Sequence, residues 1–93
     1  MSHIRDFSYS MIYRSRAQIV SKMLESAKDL NGVTKTRIMY EAYLSYVQLR
    51  EYLSVLIENG LLEYAAHTRT YKITPKGIEY LELFEQTKAM GNI

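Results

Sequence analysis

The sequence contains no cysteine and only one proline, and it has no long apolar run. Without cysteine, neither disulfides nor thiolate metal sites can form, and a reducing cytosol is compatible with the chain. No apolar stretch approaches the roughly 20 residues of a membrane span. Arg5 and Asp6 stand where a signal peptide is apolar. We therefore expect a soluble cytoplasmic protein without a membrane partner.

Motifs for chemistry are also missing. The only histidines, His3 and His67, are far apart in the sequence. We find no glycine-rich phosphate loop, no nucleophile motif and no cluster with metal-ligand spacing. The prediction is a protein that is not an enzyme and that uses neither a cofactor nor a metal.

What the chain does have is 93 residues, 47% of them hydrophobic, enough for one domain. The net charge is only +2, but it is unevenly distributed. Cations outnumber carboxylates four to one in residues 1–22 and three to one in residues 61–77, whereas residues 78–93 hold three carboxylates and one lysine. This distribution suits a polyanion bound on one side, although a mildly basic chain is also common among proteins that bind none.

Apolar spacing predicts two helices in the first half of the chain. The first covers residues 14–30, with Leu30 in its apolar stripe, and "NGV" stops it. The second is short, about residues 35–42. Thr34 is its expected N-cap, and Val33 and Ile38 form a hydrophobic staple around that cap.

Both ends of the third helix are specified by local sequence. Ser45 is the expected N-cap, and Gln48, three residues later, completes a capping box. At the other end Gly60 can adopt the left-handed conformation while Leu61 folds back onto Leu56, as in a Schellman motif. The third helix, of residues 45–59, is therefore sharply bounded.

A β-hairpin and a last helix follow. Strands are predicted at about 61–66 and 70–73, around a polar tip that lacks the usual glycine. Thr74 is the expected cap of the last helix and Pro75 its first residue, although Gly77 counts against a helix there. The predicted fold is mainly α with a small β-hairpin. It is a winged helix-turn-helix, divided into an arm (1–13), the winged domain (14–74) and a C-terminal helix (75–93).

The third helix has two faces when plotted at 100° per residue. The core side is expected to hold Tyr46, Leu49, Leu53, Leu56 and Ile57, and Tyr64 and Tyr71 of the hairpin are also expected to be core residues. In a winged helix the opposite face enters the major groove of DNA. The candidates for base contact are Val47, Gln48, Arg50, Glu51 and Ser54. The alternative for each is an ordinary solvated position.

Phosphate contacts must come from other elements, because the third helix itself carries one arginine and two glutamates. The candidate cations flank it in the second helix, the hairpin and the start of the last helix: Lys35, Arg37, Arg69, Lys72 and Lys76. Phosphate contacts position a protein on DNA without reading sequence. The alternative is that these charges only confer solubility.

The last helix is apolar over more than half of its circumference, more than one packing contact needs. A second copy of the chain is the economical partner, since two-fold dimers dominate among oligomers. The candidates for the dimer interface are Ile78, Leu81, Leu83 and Phe84, joined by Phe7 and Met11 of the arm. Alternatively, the arm covers this surface within one chain.

The stretches "KTRIMYEAYLSYVQLREYLSVLIENGLLEY" and "YKITPKG" carry a family resemblance. They resemble an archaeal winged-helix family of small DNA-binding proteins that dimerise through a C-terminal antiparallel coiled coil. The resemblance implies a homodimer that binds double-stranded DNA, either as a transcriptional regulator or as a chromatin-associated protein of the nucleoid. Because the sequence ends at Ile93, a shorter helical interface is expected.

One rival interpretation remains open. A winged helix can also serve as a protein–protein interaction module, for instance within transcription machinery, because fold does not imply function. Salt dependence discriminates between the two, since contacts to phosphates weaken steeply with salt and apolar contacts do not.

Overall fold

The computed structural model describes residues 14–91. The arm of residues 1–13, with the interface candidates Phe7 and Met11, lies outside the described residues. Six elements follow in the order predicted from the sequence: α1 (Arg16–Ser26), α2 (Lys35–Glu41), α3 (Tyr46–Glu58), β1 (Leu62–Ala65), β2 (Thr70–Ile73) and α4 (Pro75–Gly91). None of the helices within this range combines the length and the apolar character that crossing a membrane requires.

The first helix is shorter than predicted. A capping box of Ser15 and Gln18 starts α1, and the helix ends at Ser26. The carboxylate of Asp29 then accepts a hydrogen bond from the Asn31 N–H at 2.8 Å, which builds a tight turn instead of another helical turn. Leu30 is 87% exposed, so its expected place in the core was wrong.

The turn between α2 and α3 has an unusual residue at its centre. Tyr43 adopts a φ of +56°, a left-handed conformation that is normally left to glycine. Its N–H donates to the Tyr40 carbonyl, and the Leu44 N–H donates to the Met39 carbonyl at 3.0 Å. These two bonds are those of a Schellman ending, which terminates α2 without a glycine.

Local hydrogen bonds fix the two ends of α3, as predicted. Ser45 and Gln48 form the capping box, and the Leu61 N–H donates to the Leu56 carbonyl at 2.9 Å, which completes the Schellman ending around Gly60 (φ +73°). The buried stripe of α3 is narrow and consists of Leu49, Leu53 and Leu56. Tyr46 and Ile57 lie at the edges of this stripe and are exposed, so their expected core positions were wrong.

The hairpin pairs β1 with β2 in antiparallel register, with Tyr64 opposite Tyr71. Arg69 supplies the left-handed residue at the tip, with a φ of +56°, where we expected a glycine. Val33 exchanges two backbone hydrogen bonds with Tyr71, of 2.7 and 2.9 Å, and so attaches the segment before α2 to the hairpin. This bridge positions α2 beside the hairpin.

The last helix begins where predicted, with Thr74 accepting from the Gly77 N–H at 3.0 Å. Gly77 is needed there, because a Cβ at this position would collide with the Leu61 carbonyl oxygen. Leu81 is only 7% exposed and belongs to the hydrophobic core. The first turns of α4 therefore pack with the domain of residues 14–74.

Candidate nucleic-acid interface

Three elements converge at one edge of the fold: the start of α2, the start of α3 and the hairpin. The Val33–Tyr71 bridge holds the hairpin against the segment that leads into α2. Lys35 of α2 and Arg50 of α3 both lie near the ring of Tyr46, with 5.6 Å from Nζ and 5.7 Å from Cζ to the ring centroid. This edge thus gathers positive charge around an exposed aromatic ring.

A cavity of about 430 Å³ opens between α2 and the hairpin. We call it the hairpin pocket, and six residues line it: Thr34, Lys35, Thr36, Tyr64, Arg69 and Tyr71. The rings of Tyr64 and Tyr71 lie 4.7 Å apart, centroid to centroid, at 41°. The lining contains two cations, two hydroxyl side chains and two aromatic rings but no carboxylate, a set suited to an anionic ligand.

The cations of this edge differ in their partners. Across residues 14–91, no carboxylate lies within ion-pair distance of Lys35, Arg50 or Arg69. Arg37, in contrast, pairs with Glu41 at 2.9 Å and with Asp29 at 3.4 Å. The hydrogen bond and charge of Glu41 raise the pKa of Arg37 above its ordinary value. The positive charge of Arg37 is therefore balanced by carboxylates of its own chain.

One further phosphate candidate is also occupied. The Lys76 ammonium donates to the Asn59 carbonyl at 2.8 Å and so satisfies the end of α3. Lys72 stands across the hairpin from Glu63, but within residues 14–91 it forms no ion pair and its side chain is exposed. Of the five predicted phosphate contacts, the fold therefore leaves Lys35, Arg69 and Lys72 available, and the base-contact candidate Arg50 is also without a carboxylate partner in that range.

The base-contact candidates all lie on the exposed surface of α3. Val47 is 62% exposed. The Oε1 atom of Gln48 accepts from the Ser45 N–H at 3.0 Å, so one of its two lone pairs is engaged in the cap. A Gln uses both its oxygen and its amide N–H to bind adenine bidentately, so Gln48 would have to share this oxygen between the cap and the base.

Sequence reasoning missed the tyrosines of this edge. Tyr46 and Tyr64, assigned to the core from the sequence, are 51% and 46% exposed, and Tyr43 is exposed at the turn before α3. One signal was available, because Arg50 follows Tyr46 by four residues and the two must share a helix face. The hairpin contribution depends on tertiary packing, which the sequence pattern did not reveal.

The Tyr71 hydroxyl is a second group of this edge with a shifted pKa. Burial raises the pKa of Tyr71, and the neighbouring Tyr64 and Tyr46 raise it further. Both effects disfavour a phenolate, because the charged form loses hydration and meets like charges. Tyr71 therefore stays neutral beside the cations Lys35 and Arg69.

A comparison with protein families settles the classification. The model of a winged helix-turn-helix family matches residues 13–92, most of the chain. The chain belongs to this winged helix-turn-helix family. The α2–α3 pair is its helix-turn-helix, with α3 as the second helix, and the hairpin is its wing. The family is a non-enzymatic kind of protein, and residues 14–91 hold no cluster of His, Asp or Glu that could bind a metal.

Two relatives agree with this winged-helix assignment, and both are archaeal. An uncharacterised protein of Methanocaldococcus jannaschii is 33% identical over 75 residues, which are 81% of this chain and 34% of that protein. The chain thus spans about a third of that relative. The crystal structure of Sso10a-2, a DNA-binding protein from Sulfolobus solfataricus, superposes with a TM-score of 0.73 at 24% identity, covering 85% of this chain and 83% of that one. The resemblance to an archaeal winged-helix family is confirmed.

The interface candidates on α4 fall into three environments. Leu81 is 7% exposed and packs in the core of its own chain, so it has little surface to offer to a dimer contact. Leu83, 59% exposed, lines an apolar groove of about 340 Å³. This α1–α4 groove is formed by Ala17, Tyr80, Leu83, Phe84 and Thr87. Ile78 faces a separate cavity, which it shares with acidic side chains including Glu82 and Glu85.

Proposed function

We propose that this winged helix binds double-stranded DNA, with α3 in the major groove and the wing beside it. The observation that carries the proposal is the set of Lys35, Arg50 and Arg69, cations without a carboxylate partner that flank the exposed face of α3. Phosphate neutralisation supplies most of the affinity of such complexes. The DNA-binding description of the solved neighbour Sso10a-2 supports the same proposal.

In this arrangement α3 reads bases with side chains that are short and exposed. Val47 would meet a thymine methyl group, Glu51 would accept from a cytosine amino group, and Ser54 would bond to either kind of edge. Lys35 and Arg69, which line the same pocket, would bind phosphates on one side of the groove, and Arg50 would reach a guanine edge or a phosphate. Gln48 would contribute its free amide N–H groups.

The test is fluorescence anisotropy of a labelled random-sequence duplex at about 50 and 200 mM salt. We expect salt-sensitive binding that the double variant Lys35→Ala, Arg69→Ala weakens at least about tenfold, because two phosphate contacts are lost. Lys28→Ala, Lys88→Ala is the matched control. It removes the same amount of positive charge as the double variant, but from the turn between α1 and α2 and from α4, outside the hairpin pocket. Equal losses in both variants would contradict a localised interface.

We further propose that the DNA-binding form is a homodimer joined through the α1–α4 groove. Leu83 and Phe84 give this groove an apolar character that one chain leaves uncovered in residues 14–91. Small Ala17 in its wall lets a partner helix approach closely. A two-fold dimer would present two recognition helices about one DNA turn apart, roughly 34 Å. A transcriptional regulator and a chromatin-associated protein are both consistent with that geometry, and either would act at the nucleoid in the cytoplasm.

Sedimentation equilibrium tests the homodimer. Leu83→Glu places a charge in the groove and should convert the dimer to a monomer, whereas Leu30→Glu, at another exposed leucine, should not. A wild-type protein that is already monomeric would contradict the dimer and favour coverage of the groove by the arm of residues 1–13. Binding of a protein partner without any affinity for the duplex would favour the interaction-module alternative.

A further inference from the structure

The hairpin pocket holds more aromatic surface than contact with a duplex backbone requires. Lys35 and Arg69 alone would serve a phosphate, yet the pocket also presents Tyr64, a residue that is 46% exposed. In a duplex only the edges of the bases are accessible, because their faces are covered by neighbouring base pairs. An exposed ring next to two cations is therefore better matched to a base that has lost its partner.

We propose that the hairpin pocket binds an unpaired nucleotide, with its base stacked on Tyr64 and its phosphate between Lys35 and Arg69. This goes beyond duplex binding, because it gives the wing an affinity for melted or single-stranded DNA. Aromatic rings combined with a cationic groove are the recurring means by which proteins hold single strands.

The ring of Tyr64 is held in position for stacking. Tyr71 stands opposite it in the hairpin register, with 4.7 Å between the two ring centroids. Tyr71 is itself fixed by its two backbone hydrogen bonds to Val33. The Tyr64 ring thus packs against a residue that is itself held in place. This packing reduces the side-chain rotamer freedom of Tyr64, so a ligand would have less of it to restrict on binding.

The polar lining completes a site for a nucleotide. The Thr34 hydroxyl oxygen accepts from the Arg37 N–H at 3.2 Å, which leaves its O–H to donate to the ligand. Thr36 is exposed in the same wall. The volume of about 430 Å³ lies within the range of small-molecule sites.

The experiment compares a single strand with a duplex of matched length. The probe is a short oligothymidylate that carries one 2-aminopurine, whose fluorescence is quenched when the base stacks. We expect wild type to bind this strand and to quench its emission. Tyr64→Leu should lose at least about tenfold in single-strand affinity, together with the quenching, because one base–aromatic stack is lost. Its duplex affinity should change less.

Two variants keep the result interpretable if Tyr64→Leu disturbs the hairpin. Tyr64→Phe preserves the ring and should retain both affinity and quenching. Tyr40→Leu removes an exposed tyrosine that does not line the pocket and should change neither.

Each remaining outcome is decisive. If the wild type does not bind the single strand, or if Tyr64→Leu loses duplex and single-strand affinity equally, the pocket assignment is overturned. The proposal that the protein binds duplex DNA would not be affected by either result. Single-strand binding with no duplex affinity would instead sustain the pocket and contradict the proposed function.

Discussion

The Thr74 hydroxyl donates a hydrogen bond to the Gly60 carbonyl at 2.6 Å and at the same time accepts one from the Gly77 N–H at 3.0 Å. One side chain thus caps the start of α4 and satisfies a carbonyl at the end of α3. The Lys76 ammonium adds a second link between the two helices, to the Asn59 carbonyl at 2.8 Å. The end of α3 and the start of α4 are thereby joined through side chains as well as through the hairpin.

The double role of Thr74 predicts a sizeable loss of stability on substitution. Thr74→Val keeps the shape but removes both hydrogen bonds, and it should lower the free energy of unfolding by about 1–3 kcal/mol. Thr74→Ser retains the hydroxyl and should cost less than about 1 kcal/mol. Urea denaturation monitored by circular dichroism measures both variants. Equal stability of the valine variant and wild type would contradict the structural role.

Gly77 should respond to alanine in the opposite sense to an ordinary helical glycine. At an open helical site, Gly→Ala stabilises by about 1 kcal/mol. Here the added Cβ would meet the Leu61 carbonyl oxygen and approach Cγ1 of Ile73 to 2.6 Å. We expect Gly77→Ala to destabilise by about 1–3 kcal/mol. Gln86→Ala, at an exposed position of the same helix, should change the unfolding midpoint little.

Replacing the strained Tyr43 by glycine should have different effects on stability and on DNA binding. A non-glycine residue at φ +56° costs about 1–2 kcal/mol, so Tyr43→Gly should not lower the free energy of unfolding and can raise it. Strain of this kind tends to be retained at functional sites. The exposed ring stands directly before α3, so the same variant should weaken duplex binding measured by anisotropy. A variant that loses stability and keeps its DNA affinity would show that the tyrosine serves the fold instead.

The pH dependence of stability should carry a contribution from Tyr71. Its pKa is raised in the folded state above the ordinary value of about 10. The folded protein therefore binds more protons than the unfolded chain at alkaline pH, and stability falls as pH rises above about 10. The contribution is fully present below that pH. In denaturation series from neutral to alkaline pH, Tyr71→Phe should show a shallower decline than wild type, and parallel curves would contradict the assignment.

Sequence alone was most informative where residues interact with near neighbours. Both ends of α3 and the start of α4 were predicted correctly, because Ser45, Gly60 and Thr74 act through hydrogen bonds to residues a few positions away. The end of α1 was missed, since apolar spacing continued to Leu30 while the Asp29 carboxylate formed a competing turn. The apolar periodicity does not show that a side-chain hydrogen bond to the backbone can replace a further turn of helix.

The candidate site was less predictable, because it depends on contacts between distant segments. The Arg37–Glu41 pair has the i,i+4 spacing that a sequence can show. That Arg37 also pairs with Asp29, and that Lys76 donates to Asn59, follows only from the folded arrangement. The exposure of Tyr46 and Tyr64 likewise depends on how narrow the buried stripe of α3 is and on how the hairpin is oriented. A helical wheel locates a face but does not give its width.

The links among Thr74, Gly60, Lys76 and Asn59 have a mechanical consequence. The Thr74–Gly60 and Lys76–Asn59 hydrogen bonds couple the end of α3 to the start of α4, so we expect a rotation of α4 to turn α3 with it. In a dimer built on α4, the packing of the two α4 helices would then determine the distance and the rotation between the two copies of α3. Both would have to match the helical repeat of DNA, about 10 base pairs. Operators whose half-sites are displaced by half a turn would place one recognition helix on the wrong side of the duplex.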